Sequence, residues 1–237
     1  MTMSLKKAMI FAAGRGERMR PLTDTCPKPL LEVDGKPLIV WQIERLARAG
    51  FRTIVINHAW LGERIETALG DGSRWGVQLR YSAEHEALET AGGIAQALPL
   101  LEEDDTSEVF AAIAGDVYAD FDYATLNAHA GTLKALPEAG MHLVMVPNPA
   151  FHPHGDFGLV DGMLSLDAQP RFTFSSIGLY DTRMFRDLPR GTRRALKPYY
   201  LETIARGLAS GELYEGLWEN VGTPAQLDAL DQRLRAR

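Results

Sequence analysis

The stretch Lys7-Ala-Met-Ile-Phe-Ala-Ala-Gly-Arg-Gly-Glu-Arg18 decides the fold, because an apolar segment runs directly into a glycine-rich basic loop. Residues 7–13 read as a strand. Their apolar side chains do not alternate with polar ones, so we expect the strand to be buried on both faces. Strands of this kind are typical of parallel sheets that are covered by helices. The stretch therefore predicts the opening strand of an α/β fold.

Helices and strands alternate after this loop. The sequence predicts helices at 37–49, 61–69 and 92–101, and further strands at 53–57, 77–81 and 108–113. In the first helix, the apolar residues face one side and Gln42 is placed on the opposite, polar side. Strand-helix-strand order implies parallel strands with right-handed crossovers. Gly115-Asp116 then falls at a carboxyl strand end, the edge where open α/β sheets bind ligands.

The second half of the chain has a different pattern. A helix is predicted at 124–130, followed by strand-like segments at 141–146, 157–160 and 171–180 and by helices at 199–208 and 224–235. There are no repeats and no low-complexity linker in the sequence. We therefore expect a single domain, residues 1–237, in which the second half extends the same sheet and carries an acceptor pocket.

The charge distribution limits the class of ligand. A formal net charge of −6 argues against broad nucleic-acid binding, which requires many phosphates to be neutralised. Arg15, Arg18, Arg20 and Lys28 nevertheless crowd one short segment. A local basic cluster in an acidic chain suits a compact polyanion such as a triphosphate.

The sequence predicts a cytoplasmic protein that is not embedded in a membrane. The apolar residues 9–13 are too short for the core of a signal peptide, and no longer apolar run could span a bilayer. The lone Cys26 excludes an internal disulfide and suits a reducing compartment.

The glycine loop carries the clearest chemical signal. Gly14 and Gly16 allow the backbone N–H groups to approach phosphate oxygens, Arg18 can make a two-pronged contact, and Lys28 adds a point charge. A dinucleotide-binding fingerprint would need a third glycine where Met19 stands, and a Walker A loop would need the absent Gly-Lys-Ser/Thr. Both common alternatives are therefore excluded.

The motif resembles the signature of the sugar-1-phosphate nucleotidyltransferases, Ala-Ala-Gly-x-Gly-x-Arg-x-x-Pro-Leu-Thr followed by Pro-Lys-Pro-Leu. The similarity continues through several later sequence segments, which are most like those of the N-acetylmuramate α-1-phosphate uridylyltransferases of cell-wall recycling. These segments are residues 55–62, 69–76, 88–94, 115–116, 155–157 and 221–223.

The resemblance implies a Rossmann-like doubly wound mixed sheet and an Mg²⁺-dependent transfer of UMP from UTP to a sugar 1-phosphate, with release of pyrophosphate. Residues 1–120 would then form the nucleotide-binding half and residues 121–237 the sugar-phosphate-binding half. The acceptor implied is N-acetylmuramate 1-phosphate, with Asp156 near the sugar. Arg18 and Lys28 are the implied catalytic residues. The implied nucleotide-binding residues are Ala13, Gly14, Gly16, Glu17, Arg18, Lys28 and Gly92.

Two positions depart from the family pattern. The metal would be held by Asp116 and by the residue before Val-Gly-Thr, which is usually Asp but here is Asn220. An amide oxygen can bind Mg²⁺ but contributes no charge. Ala114 stands where these uridylyltransferases carry an Asn that touches the sugar.

The sequence leaves two alternatives open. One is a nucleotidyltransferase that uses GTP or another NTP with a mannose- or heptose-type phosphate. The other is a nucleotide-sugar binding protein with weakened turnover, which Asn220 would explain. His152-Pro-His154 is assigned a loop role because no further ligands complete a tetrahedral metal site.

Overall fold

The computed structural model describes residues 5–103 and 108–237. Residues 1–4 and 104–107 of the predicted domain lie outside the described residues. Within the described ranges the helices are α1 (Leu38–Arg48), α2 (Gly62–Leu69), α3 (Glu89–Glu102), α4 (Leu126–Lys134), α5 (Lys197–Ala205) and α6 (Pro224–Arg235). The strands are β1 (Lys7–Phe11), β2 (Glu32–Val33), β3 (Lys36–Pro37), β4 (Thr53–His58), β5 (Gln78–Ala83), β6 (Val109–Ala114), β7 (Val117–Ala119), β8 (Met141–Val146), β9 (Phe157–Val160), β10 (Met163–Ser165), β11 (Arg171–Asp181), β12 (Ala209–Leu213) and β13 (Trp218–Asn220).

The central sheet has nine strands in the order β5-β4-β1-β6-β11-β8-β12-β10-β9. The first four are parallel to one another, as the alternation of strands and helices predicts. Strand β11 enters antiparallel beside β6, so segments from both halves of the chain share one sheet. The sheet is therefore mixed.

Helices cover both faces of this sheet. Alternate residues of β1 point to opposite sides: Ala8 and Ile10 join a cluster with α1, α2 and α4, whereas Met9 joins a cluster with α3 and α5. Burying both faces of a strand removes apolar surface from water on each side, which stabilises the fold by roughly 25 cal/mol per Å² of apolar area buried. The predicted doubly wound mixed sheet is confirmed.

The polar face predicted for the first helix is wrong at one residue. Gln42 is fully buried rather than solvent-facing. Its side-chain amide donates to the Val117 carbonyl and accepts from the Tyr123 hydroxyl, so each polar atom has a partner. Hydrogen bonding removes most of the cost of burying the amide, which is why a polar residue is tolerated at a core position.

Strand pairing in the second half closes on itself. Strand β11 pairs with β8 and also with β9, and the chain of pairings β8–β12–β10–β9 completes the circuit. The sequence did not predict β10 or β12, nor the small β2–β3 and β7–β13 pairs. No helix of the described residues has the length and apolar character that crossing a bilayer requires.

Candidate active site

A cavity of about 500 Å³ opens beyond the carboxyl ends of β1 and β6. Its volume is in the range of small-molecule sites, and its position is the one that open α/β sheets use for ligands. The cavity brings together most of the residues singled out in the sequence. These are Ala13, Gly14, Gly16, Glu17, Arg18, Lys28 and Asp116.

Gly14 and Gly16 are required in the loop for different structural reasons. Gly16 has a φ of 70°, and a Cβ there would lie 3.1 Å from side-chain atoms of both Lys28 and Thr23. The Thr23 hydroxyl donates to the Gly16 carbonyl at 2.9 Å and holds this turn. A Cβ on Gly14 would meet no atom within 4 Å. Gly16 therefore shapes the loop, and Gly14 leaves space in the cavity.

Lys28 and Asp116 meet across the cavity wall. Lys28 begins a short 3₁₀ helix after Pro27 and is buried to 8% exposure, and its ammonium donates to an Asp116 carboxylate oxygen. Asp116 lies in the tight turn between β6 and β7, where Gly115 packs so closely that a Cβ would lie 2.9 Å from the Phe11 carbonyl. The turn thus fixes a carboxylate beside a buried cation.

Arg18 is positioned by a segment more than 200 residues away. A Cβ on Gly222 would lie 3.3 Å from an Arg18 guanidinium nitrogen, so the guanidinium rests against this glycine. The Gly222 N–H donates to the Gln226 side chain at 2.8 Å, which ties the glycine to α6. Arg15 instead packs over Trp60, at 4.1 Å from the ring centre. Arg18 and Lys28 are therefore the members of the predicted basic cluster that line the cavity.

Asn220 and Gly92 do not line the cavity, although both lie close to residues that do. Asn220 pairs with Val117 in the β7–β13 ladder, and the next residue, Val221, donates its N–H to the Asp116 carbonyl at 3.1 Å. Gly92 donates its N–H to the Arg194 carbonyl at 3.1 Å. The metal and nucleotide roles assigned to these two residues stay predictions.

Asp156 also lies outside the lining of the cavity. Its carboxylate accepts from the Phe174 N–H at 2.8 Å and contacts the His152 ring at 3.2 Å. His152 thus fastens a loop, in keeping with the loop role assigned to it. The sugar-binding role of Asp156 stays a prediction.

A buried polar network behind the cavity was not assigned from the sequence. The Asn57 side chain, which also lines the cavity, accepts from the Ala12 N–H at 3.1 Å and donates to Glu84 at 2.7 Å. The other Glu84 oxygen accepts from the Leu88 N–H at 2.8 Å. Burial raises the pKa of Glu84, although its hydrogen bonds oppose the shift. The network joins the end of β1 to the start of α3.

We expect Asn57→Ala to lower the free energy of unfolding by about 2–3 kcal/mol, because the Ala12 N–H and one Glu84 oxygen would lose their buried partner. Urea unfolding followed by circular dichroism measures the change. Thr125→Ala serves as a control, since the Thr125 hydroxyl donates to the Asp122 carbonyl at an exposed position and its loss should cost about 1 kcal/mol or less. Equal losses for the two variants would contradict the role of this network.

Glu89 and Arg193 add charges at the rim of the cavity. They form an ion pair of 3.1 Å, and Glu89 opens α3 with a φ of 59°. The sequence pointed to Glu89, because this residue lies in the segment 88–94 that resembles the family. No sequence signal pointed to Arg193, because its loop reaches the cavity through tertiary contacts with Leu88 and Gly92.

The chain is similar in sequence to known nucleotidyltransferases. The family model described as Nucleotidyl transferase matches residues 7–162. The N-acetylmuramate α-1-phosphate uridylyltransferase of Neisseria meningitidis is 50% identical over 226 residues, covering 93% of this chain and 95% of the relative. The enzyme of the same name from Caulobacter vibrioides is 34% identical and covers 99% of both chains.

Solved structures share the fold. A Bacillus anthracis protein crystallised with sucrose superposes with a TM-score of 0.78 at 23% identity, covering 98% of this chain and 96% of the other. HddC from Yersinia pseudotuberculosis, solved in complex with GMP-PN, superposes with a TM-score of 0.76 at 17% identity and covers 97% and 100%. The family match spans about two thirds of the sequence, and the two uridylyltransferases align along nearly all of it. The chain belongs to the nucleotidyl transferase family.

Proposed function

We propose that this protein transfers UMP from UTP to N-acetylmuramate 1-phosphate and releases pyrophosphate. The observation that carries the proposal is the convergence of the glycine loop, Arg18, Lys28 and Asp116 on one cavity. The similarity to two uridylyltransferases over nearly the whole chain supports the choice of nucleotide and sugar. The two substrates and the lone cysteine suit a cytoplasmic location.

The chemical step needs positioning more than proton transfer. An oxygen of the sugar phosphate attacks the α-phosphorus of UTP, the bond to the α–β bridging oxygen breaks, and its electron pair leaves with pyrophosphate. The nucleophile is already anionic, so no general base has to activate it. The barrier lies in bringing two polyanions together in line, which fixed positive charge and a preorganised site lower.

The cationic side chains take separate parts in this step. Lys28 is held in a largely buried position, where its charge is worth more than it would be in water. Arg18, resting against Gly222, presents a planar guanidinium to the phosphates. Glu17 forms an ion pair with Arg15 at 3.1 Å. We propose that Glu17 acts through its backbone N–H, because its carboxylate would repel the triphosphate.

Asp116 fits the proposed Mg²⁺ cofactor, because a partly exposed carboxylate that lines the cavity is the oxygen ligand this ion prefers. Asn220, in the neighbouring strand, would add a neutral amide oxygen. When bound, the ion would neutralise charge on the phosphates as they meet. Lys28 shares the Asp116 carboxylate, so this lysine also keeps the carboxylate oriented toward the phosphates.

We propose that residues 1–120 bind the nucleotide and that residues 121–237 bind the sugar phosphate. Asp156 has a side chain that is 37% exposed, and its oxygens can accept further hydrogen bonds from sugar hydroxyls. Ala114 lines the cavity and offers no polar group. Recognition of the sugar therefore falls to other residues in this chain.

We expect Gly14→Ala to weaken UTP binding by about tenfold, since a methyl group would fill space beside the phosphates, and 1.4 kcal/mol is a factor of 10. The fold should be unaffected, because a Cβ at Gly14 meets no neighbour. Calorimetric titration with UTP and thermal unfolding measure the two effects. Gly131→Ala, an equally uncrowded position in α4, is the matched control and should bind UTP normally. A Gly14→Ala protein with unchanged affinity would refute the assignment.

The function itself is tested by incubating the purified protein with each NTP and a panel of sugar 1-phosphates and measuring pyrophosphate. We expect the highest kcat/KM with UTP and N-acetylmuramate 1-phosphate. A preference for GTP with a mannose- or heptose-type phosphate would select the alternative transferase. Tight binding of a UDP-sugar without turnover would indicate the weakened binding protein, and Asn220→Asp should then raise turnover sharply.

A further inference from the structure

Three potential metal ligands meet at a place that the proposed reaction does not use. His129 lies on α4, His142 on β8 and Glu212 on β12. One nitrogen from each imidazole and one carboxylate oxygen all lie within 4.8 Å of one another. None of the three lines the active-site cavity. The cluster is therefore a separate feature of the sugar-phosphate half.

The ligand atoms face one another across a short distance. The His142 Nε2 lies 3.3 Å from a Glu212 carboxylate oxygen, and the His129 Nε2 lies 3.9 Å from the same oxygen. The two imidazole rings are stacked, with centres 3.8 Å apart and planes inclined by 12°. Both Nε2 atoms thus lie within 4 Å of one carboxylate oxygen.

The second nitrogen of His142 is already satisfied. Its Nδ1 lies 2.9 Å from the Ser210 hydroxyl, and Ser210 is the direct partner of His142 in the parallel β8–β12 pairing. This hydrogen bond fixes the orientation of the ring, which is the part that outer hydrogen-bond partners play at metal-binding histidines. His142 is 1% exposed, so this orientation is set by the sheet.

An ion can reach two of the three ligand groups from the surface. His129 and Glu212 remain partly exposed and give an ion access from the surface.

We propose that His129, His142 and Glu212 bind a divalent transition metal, with zinc as the ion of best fit. Two imidazole nitrogens and one carboxylate oxygen are a common zinc ligand set, and water would take the fourth position. Mg²⁺ is a poor candidate, since it prefers oxygen ligands. Parallel rings cannot both aim in-plane lone pairs at one ion, so the His129 ring turns on binding, which its partial exposure permits.

Calorimetric titration of the 237-residue protein with Zn²⁺, in millimolar Mg²⁺ to occupy oxygen-rich sites, tests the proposal. We expect one zinc per chain, and binding at least tenfold weaker in His129→Ala and in Glu212→Gln. Ser210→Ala should weaken binding by about 10–100-fold, because it removes the group that orients His142. His85→Ala and Cys26→Ser are matched controls that remove other potential zinc ligands and should bind as the wild type does.

Substitution with Co²⁺ provides a second readout. We expect an intense visible absorption band, typical of tetrahedral cobalt, which disappears in Glu212→Gln. Circular dichroism confirms that each variant is folded. The proposal is overturned if the wild type takes up no zinc, or if the His129 and Glu212 variants bind it as tightly as the wild type. Because neither readout uses UTP or a sugar phosphate, failure of the proposed enzymatic function would leave this test unaffected.

Discussion

Lys28→Met should lower kcat by about 10²–10³-fold, the loss that follows removal of one preorganised group that stabilises charge in a transition state. Methionine keeps the apolar stem that packs against Gly16, so the loop is expected to keep its shape. The ammonium group, which contacts Asp116 in a largely buried position, is lost. Pyrophosphate release at saturating substrates measures kcat, and calorimetry measures UTP affinity.

The matched control for this variant is Arg20→Met. Arg20 belongs to the same basic segment, but it pairs with Asp24 at 2.7 Å and does not line the cavity. We expect its kcat to change by less than about twofold, since a surface ion pair contributes little. Unchanged kcat and kcat/KM in Lys28→Met would show that Lys28 does not stabilise the transition state.

Asp116→Asn should reduce kcat by about 10²-fold and shift the Mg²⁺ dependence to higher concentrations. The substitution keeps the shape of the side chain but removes the charged oxygen ligand, and with Asn220 as its neighbour no carboxylate would remain in the proposed ligand pair. Initial rates over a Mg²⁺ titration measure both effects.

Asp161→Asn is the control for the loss of a carboxylate. Asp161 has a φ of 50°, a conformation that Asn tolerates well, and it lies in the turn between β9 and β10. Its rate and Mg²⁺ dependence should match those of the wild type. If Asp116→Asn lowered kcat without moving the Mg²⁺ dependence, Asp116 would act only through Lys28 and not as a metal ligand.

The parallel half of the fold was readable from the sequence because β1, β4 and β6 are rich in consecutive apolar residues, whereas β5 shows partial alternation. Residues 141–146, 157–160 and 224–235 were also predicted with the bounds that β8, β9 and α6 have. Strand β12 was missed because Ala-Ser-Gly-Glu-Leu has little β propensity by itself, and its pairing with β8 over its full length makes it a strand. Gln42 was misplaced for a related reason: its buried partners come from residues that are distant in sequence.

The candidate site was readable where one segment supplies the chemistry. Gly14, Gly16, Arg18 and Lys28 lie within fifteen residues of one another, and all four line the cavity. Contacts between distant segments were not readable. The hydrogen bond of Asn57 to Glu84 and the return of the Arg193 loop to α3 depend on how separate elements pack, which spacing along the chain does not encode.

The contact between Gly222 and Arg18 has a consequence for biosynthesis. The arginine is made near the beginning of translation, whereas the glycine that supports it and the Gln226 side chain that holds this glycine are made some two hundred codons later. In a growing polypeptide, the Arg18 guanidinium therefore gains this contact only after residue 226 has left the ribosomal exit tunnel. Nascent chains stalled before that point would carry the glycine loop without the glycine that contacts Arg18.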